Sequence, residues 1–187
     1  MTTLILGVLL WSIMHFLPAT NPQVRKNLLA RLGENAWKGI FALLMVLSIV
    51  RIYFGWKATI PVAAYQAPVW GRHLTALLMM AAFILFFAPY PPNNFKRFLR
   101  HPQLMGVFLW GVSHLLANGE TRSIVLFGGM ALWAILEILL IHRRDGSWSK
   151  PETAPINNDV VLVIIGLLVY AGVVFAHPWL FGVSPMA

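Results

Sequence analysis

The chain has 187 residues, of which 59% are hydrophobic and 11% charged, against roughly 25% charged in an ordinary soluble protein. This composition excludes a water-facing globular domain and predicts an integral membrane protein. The net charge of +8 does not indicate nucleic-acid binding, because the basic residues lie in short gaps between apolar runs and not along one stripe. Cysteine is absent, which excludes disulfides, thiolate nucleophiles and Cys-based metal sites.

Six apolar segments follow one another along the chain, each close to the ~20 residues that cross a bilayer as a helix. They are residues 2–19, 36–55, 73–91, 103–118, 123–142 and 160–181. The fourth segment is the shortest. The first lacks a preceding basic region and an Ala-x-Ala exit, so it is predicted to stay as a span. The predicted fold is all-α: a polytopic integral membrane protein with a six-transmembrane-helix bundle, forming one domain over 1–187.

The basic residues divide unequally between the two ends of these segments. Ten lie at one end, namely Arg25, Lys26, Arg31, Lys38, Lys96, Arg97, Arg100, Arg143, Arg144 and Lys150. Four lie at the other, namely Arg51, Lys57, Arg72 and Arg122. The positive-inside rule then predicts that both termini lie outside the cytoplasm.

Ionisable groups inside an apolar span are costly, so each one is a candidate functional residue. The candidates are His15, Arg51, His114 and Glu137. The other four histidines lie at span ends, where water or lipid headgroups can solvate them. They are His73, His101, His142 and His177.

The histidines in the first and fourth segments have distinct surroundings. Helical spacing places Gly111, His114 and Asn118 on one stripe with Trp110 beside it, a small and polar face on which a planar partner could pack. The alternative is helix–helix packing through a hydrogen-bonded histidine. His15 follows Trp11 by one turn. Glu137 is predicted at the same depth and is a hypothetical carboxylate partner that would orient the His15 ring; a protonated glutamate bonding a neighbouring helix is the alternative.

Several segments carry a family resemblance. They are RHPQLMG at 100–106, Trp110, HLLANGE at 114–120, His15, LGE at 32–34, LFGG at 126–129 and the pair Arg143-Arg144. Together they resemble the NnrU family of small bacterial membrane proteins, whose eukaryotic relatives include the plant 15-cis-zeta-carotene isomerase. The resemblance covers nearly the whole chain. It implies a bacterial inner-membrane protein linked to denitrification and nitric-oxide metabolism.

The isomerase branch of the family implies a haem b cofactor with histidine ligands, which fall on His15 and His114 in this chain. A redox or isomerase-like role follows, with a hydrophobic small molecule or nitric oxide as partner. The predicted cofactor-binding residues are His15, His114, Arg51, Arg100, His101, Trp110 and Asn118, and the predicted metal ligands are His15 and His114. Arg51, Lys57 and Arg72 are predicted propionate partners or interface anchors. Gly111 stands in the turn before His114 and no cysteine is present, so a thiolate-switched mechanism is excluded.

Two other classes of function stay open. The Arg-His-Pro-x-x-x-Gly string also resembles that of membrane methyltransferases, in which it contributes to the S-adenosylmethionine pocket. This chain matches poorly in their following Glu-rich segment, where it offers Glu137, Arg143 and Arg144. The third class is a non-catalytic accessory or assembly factor that holds a partner membrane protein, with structural histidines and Pro102 in the first turn of a helix.

Overall fold

The structure is a computed structural model, which describes residues 1–185. Those residues form seven long helices and one isolated β-bridge, between Ala63 and Glu120. The helices are α1 (Thr2–Thr20), α2 (Pro22–Leu32), α3 (Glu34–Ala58), α4 (Gly71–Phe87), α5 (Pro102–Ala117), α6 (Thr121–Asp145) and α7 (Ile156–Phe181). One π-helical turn, Ile124–Gly128, interrupts α6. The all-α prediction is confirmed.

Four of the helices, α1, α3, α6 and α7, are long and apolar enough to cross a membrane. The protein is therefore a membrane protein whose apolar helices contact the lipid bilayer. The apolar helices α4 and α5 are shorter, with 17 and 16 residues. The third predicted span ends early, at Phe87 instead of residue 91, because Pro89, Pro91 and Pro92 follow. The count of six spans stays a prediction.

Helix α2 was not among the predicted elements, because its segment is polar and its hydrophobic residues do not make a span. Asn21 caps it: the side chain accepts a hydrogen bond from the Val24 amide at 3.1 Å, and Pro22 occupies the first position, where a missing N–H is harmless. Gly33 ends it with a positive φ of 80°, a conformation that glycine adopts readily.

The contacts divide the chain into two compact units. The first comprises Met1–Gln66 and Asn118–Ser147, in which α1 packs against α3 and α6. The second comprises Ala67–Ala117 and the described part of Trp148–Ala187, in which α4 packs against α5 and α7. This division does not test the predicted single domain over 1–187, which therefore stays a prediction.

In the first unit, a glycine lets α1 and α3 approach closely. A side chain on Gly7 would meet the Ile52 amide nitrogen at 2.9 Å and the Ser48 carbonyl oxygen at 3.1 Å. The fully buried Ser48 hydroxyl donates to the Gly7 carbonyl at 3.0 Å. Small residues and a hydroxyl hydrogen bond are a common way for membrane helices to pack, since lipid provides no hydrophobic force between them.

In the second unit, Asn94 joins the chain after α4 to the segment before α7 and to the first turn of α7. Its amide group donates to the Ala154 carbonyl at 2.8 Å and to the Asp159 carboxylate at 2.6 Å, and its oxygen accepts from the Ala154 amide at 3.0 Å. The Asn94 backbone amide also donates to Asp159 at 2.7 Å. The two segments are thereby tied together through side-chain hydrogen bonds that no sequence periodicity reveals.

We expect Asn94→Ala to lower the free energy of unfolding by about 1–3 kcal/mol, because it removes partly buried hydrogen bonds and leaves their partners unsatisfied. Unfolding of the purified protein in mixed micelles with increasing dodecyl sulfate measures this. Asn157→Ala is the matched control, since Asn157 is exposed. Equal stability of the two variants would contradict the role of Asn94.

Candidate functional site

His15 lies in α1 and bonds to the backbone one turn earlier. Its Nδ1 lies 2.9 Å from the Trp11 carbonyl oxygen. A carbonyl only accepts hydrogen bonds, so Nδ1 must carry the proton, and in the neutral ring Nε2 carries the lone pair. The predicted carboxylate partner is thus replaced: the orienting group on Nδ1 is the Trp11 carbonyl and not Glu137. Imidazoles that bind metal commonly have this arrangement, with the second nitrogen fixed by a carbonyl or carboxylate.

Aromatic rings surround the half-buried His15. The Trp11 ring stacks on it with a centroid distance of 4.6 Å. Trp133, from α6, meets it edge-on at 5.0 Å, and Phe41, from α3, at 5.5 Å. Three helices of the first unit therefore converge on one imidazole. We call Trp11, His15, Phe41 and Trp133 the His15 cluster.

Buried polar atoms without partners belong to the same part of the unit. Within residues 1–185, the Nε1 atoms of Trp11 and Trp133 and Oε2 of Glu137 are buried and make no hydrogen bond. Glu137 follows Trp133 by one turn of α6, and the two residues are only 6% and 4% exposed. Buried polar groups in proteins are nearly always bonded, so such a set calls for a partner outside the polypeptide. Sequence analysis singled out Glu137 but not the two indoles.

A cavity of about 260 Å³ adjoins the His15 cluster, with which it shares Phe41. Its lining residues are Pro18, Arg25, Trp37, Lys38 and Phe41. Arg25 and Lys38 are the cations of this cavity, and neither was predicted as a site residue. Arg51, one of the two predicted cofactor-binding arginines, lies ten residues beyond Phe41 on α3, which is about 15 Å of helix rise. The buried Arg51 Nε has no partner among the described residues.

His114 repeats the local geometry of His15 in the second unit. Its Nδ1 lies 2.8 Å from the carbonyl oxygen of Trp110, four residues earlier, and the two rings lie 5.3 Å apart. By the same argument Nδ1 carries the proton. Both units thus contain a helix with the spacing Trp-x-x-x-His and the same side-chain-to-backbone bond. The spacing Trp-x-x-x-His is visible in the sequence at residues 11–15 and 110–114, but the repetition was not among the predictions.

The small face predicted around His114 is present in part. Gly111 and Ser113 are buried, and the Thr75 hydroxyl of α4 donates to the Ser113 carbonyl at 2.6 Å. Helix α5 ends at Ala117, so the prediction that Asn118 continues the helical stripe is wrong. The Asn118 carbonyl instead accepts a hydrogen bond from the Tyr65 hydroxyl at 3.0 Å, in the first unit.

The Arg-His-Pro segment lies at the start of α5 and lines a cavity of about 320 Å³ in the second unit. Its lining residues are Pro89, Lys96, Arg100, His101, Pro102, Gln103 and Leu104. The His101 carbonyl accepts from the Met105 amide at 3.1 Å, which begins the helix, and the buried Pro102 takes the first helical position. The structure thus brings Arg100 and His101 to one cavity, and that cavity carries cations but no acidic side chain.

Two further basic residues from the predicted group of four, Arg122 and Lys57, have partners within the first unit. Arg122 donates to Glu120 at 2.7 Å and lies over the Trp56 ring at 4.4 Å. Lys57 lies over Tyr53 at 5.1 Å. No group of three or more His, Cys, Asp or Glu side chains that could hold a metal ion occurs among residues 1–185.

Comparison with known proteins gives one match. A sequence model described as "NnrU protein" matches residues 3–185, essentially the whole chain. No curated protein and no solved structure matches it significantly. The chain belongs to the NnrU family.

Proposed function

We propose that this NnrU protein is a six-span membrane protein that binds haem b, and that His15 and His114 are the residues that would each bind haem iron. The observation that carries the proposal is the repeated Trp-x-x-x-His geometry, in which a tryptophan carbonyl holds the Nδ1 proton of each histidine. This leaves Nε2 as the nitrogen with the lone pair, as an iron ligand requires.

The side chains around His15 are of the types that a haem site uses. Haem needs apolar walls, one or two axial ligands and polar groups at its edge. The His15 cluster supplies aromatic walls, and the unpartnered atoms of Trp11, Trp133 and Glu137 are polar groups of the kind that a haem edge or a small polar ligand would satisfy. When bound, haem would supply one-electron chemistry and an iron that takes nitric oxide. The chain has no cysteine, so no thiolate would take part in a ligand exchange.

The roles of this chain's own residues follow from that arrangement. The Trp11 and Trp110 carbonyls fix the tautomer and the rotation of each imidazole. The rings of Trp11, Phe41 and Trp133 keep water away from His15. Family membership supports a function in nitric-oxide metabolism or denitrification, and the carotenoid branch supports an isomerase-like one. We favour a redox or gas-binding role, because it requires only a labile axial ligand.

The proposed topology has six spans, with both termini on the periplasmic side of a bacterial inner membrane. The ten-to-four division of basic residues supports it through the positive-inside rule. The short apolar helices α4 and α5 would be the fifth and sixth membrane spans, beside the four long helices. At 1.5 Å per residue they rise about 25 Å, which is slightly less than the hydrocarbon thickness of ~30 Å.

The direct test is the absorption spectrum of the protein purified in mild detergent. We expect a Soret band that shifts on reduction, haem b in the pyridine haemochrome assay, and a further spectral change with nitric oxide. A colourless protein that does not bind added haem would overturn the proposal.

One observation favours a second function, an S-adenosylmethionine-dependent methyltransferase. The cavity lined by Arg100, His101 and Pro102 contains cations that could hold the carboxylate of that cofactor. Calorimetric titration with S-adenosylmethionine distinguishes the two proposals: binding that Arg100→Gln abolishes, in a protein without haem, would favour the methyltransferase. A colourless protein that binds neither ligand would favour an accessory factor for a partner membrane protein.

A further inference from the structure

The cavity next to the His15 cluster lies where two long apolar helices meet a basic one. We infer that it binds the headgroup of an anionic phospholipid, with the phosphate held by Arg25 and Lys38. The cavity of about 260 Å³ has room for about nine heavy atoms, at about 30 Å³ for each water-sized group. That is the size of a phosphoglycerol headgroup and far below that of a whole lipid. This inference does not depend on haem binding.

The charge of the cavity suits an anion. Arg25 is exposed and has no ion pair among the described residues. Lys38 pairs with Glu34 at 2.7 Å, and both side chains are largely exposed, at 68% and 71%. Exposed pairs of this kind are worth little, and the lysine ammonium has three donors, of which Glu34 uses one. Glu34 repels an anion, but the two cations leave an excess of positive charge.

The position of the cavity matches the headgroup layer. Pro18 lies in the last turns of α1, and Trp37 and Phe41 lie in the first turns of α3. Both helices are long and apolar enough to cross a membrane, so their adjoining ends lie at the interface between hydrocarbon and water. Tryptophan is enriched at this depth in membrane proteins. The apolar walls would contact the glycerol and the first acyl carbons of a bound lipid.

Helix α2, which supplies Arg25, has the properties of an interfacial helix. It contains no acidic residue and no buried side chain, and it packs on both α1 and α3. At 100° per residue Val24, Leu28 and Leu32 share one arc, with Arg31 beside it and Lys26 on the opposite side. Basic helices with one apolar arc bind anionic membrane surfaces. A lipid of negative charge is therefore favoured over a zwitterionic one.

The test uses the full chain in detergent, with lipid binding followed by native mass spectrometry. The probes are dioleoylphosphatidylglycerol, dioleoylphosphatidylcholine and inorganic phosphate. We expect the intact protein to retain phosphatidylglycerol in preference to phosphatidylcholine. The double variant R25Q/K38Q should bind phosphatidylglycerol at least about tenfold more weakly, because two charge-assisted hydrogen bonds are lost. The charge-conserving variant R25K/K38R should keep most of the binding.

The matched control is R143Q/K150Q, which removes two exposed cations outside the cavity and should bind phosphatidylglycerol like the original protein. Equal weakening in this control would overturn the site in favour of general surface charge. Unchanged binding by R25Q/K38Q, or equal binding of phosphatidylcholine, would also overturn it. If millimolar inorganic phosphate displaces the lipid, the cavity is a site for a free anion. If only haem-free protein binds the lipid, the cavity is a site for the propionates of haem. If R25Q/K38Q fails to fold, the single variant R25Q, which changes an exposed residue, is measured in its place. Weaker binding of phosphatidylglycerol by R25Q would support the site, and unchanged binding would overturn it.

Discussion

His15→Ala is expected to lower the haem affinity of the purified protein at least about tenfold, since loss even of groups that only orient a metal ligand costs about 10–100-fold. The substitution removes the nitrogen proposed to bind iron and leaves the carbonyl of Trp11 without its side-chain donor. His114→Ala should have an effect of the same kind, because the local geometry of the two histidines is the same. Haem titration followed at the Soret band measures both affinities.

Controls separate ligation from general damage to the fold. His73→Ala removes an exposed histidine at the start of α4 and should leave the haem spectrum unchanged. His15→Gly with added imidazole should regain the original Soret position, because the free base can occupy the space of the missing side chain. If His15→Ala and His114→Ala both keep full haem with an unaltered spectrum, neither histidine is a ligand.

Gly106→Leu is expected to destabilise the protein by about 1–3 kcal/mol, the usual range for overpacking a tight contact. A side chain at Gly106 of α5 would meet the Ala82 carbonyl oxygen at 2.8 Å and the Phe86 amide nitrogen at 3.0 Å. Both are backbone atoms of α4, so a rotamer change cannot relieve the clash. The helices must separate, and the dispersion contacts between them weaken.

Gly172→Leu is the matched control, because a side chain at Gly172 of α7 meets nothing within 4 Å. Both substitutions gain the same intrinsic helix propensity, about 0.8 kcal/mol relative to glycine, so the difference between them isolates the packing term. Unfolding in dodecyl sulfate mixed micelles measures both. Similar stabilities would mean that α4 and α5 are not closely packed at Gly106.

The fold was predictable from sequence to the extent that it depends on long apolar runs. The first predicted span, 2–19, nearly coincides with α1, because about twenty mostly apolar residues have few alternatives to a helix in lipid. Helix α2 was missed because an interfacial helix needs neither that length nor that apolarity. The π-helical turn in α6 was also missed, since a hydrogen-bond shift of one residue leaves the composition unchanged.

The candidate site was predictable in its ionisable residues and not in its neighbours. His15, Glu137 and His114 stand out against an apolar background because each is expensive in lipid. The predicted partner of His15 was Glu137, but the partner found is the Trp11 carbonyl. Every residue has a backbone carbonyl, so the sequence does not show which one accepts this hydrogen bond. Trp133 and Phe41 belong to helices far along the chain from His15, and only the tertiary packing brings their rings to it.

The most direct test of the central claim is pulsed electron paramagnetic resonance on ferric protein labelled with ¹⁵N-histidine. The proposal predicts a haem iron signal with hyperfine coupling to imidazole ¹⁵N, and loss of part of that coupling in His15→Ala and in His114→Ala but not in His73→Ala. A protein without an iron signal, or a coupling that survives both ligand substitutions unchanged, would contradict histidine ligation of haem.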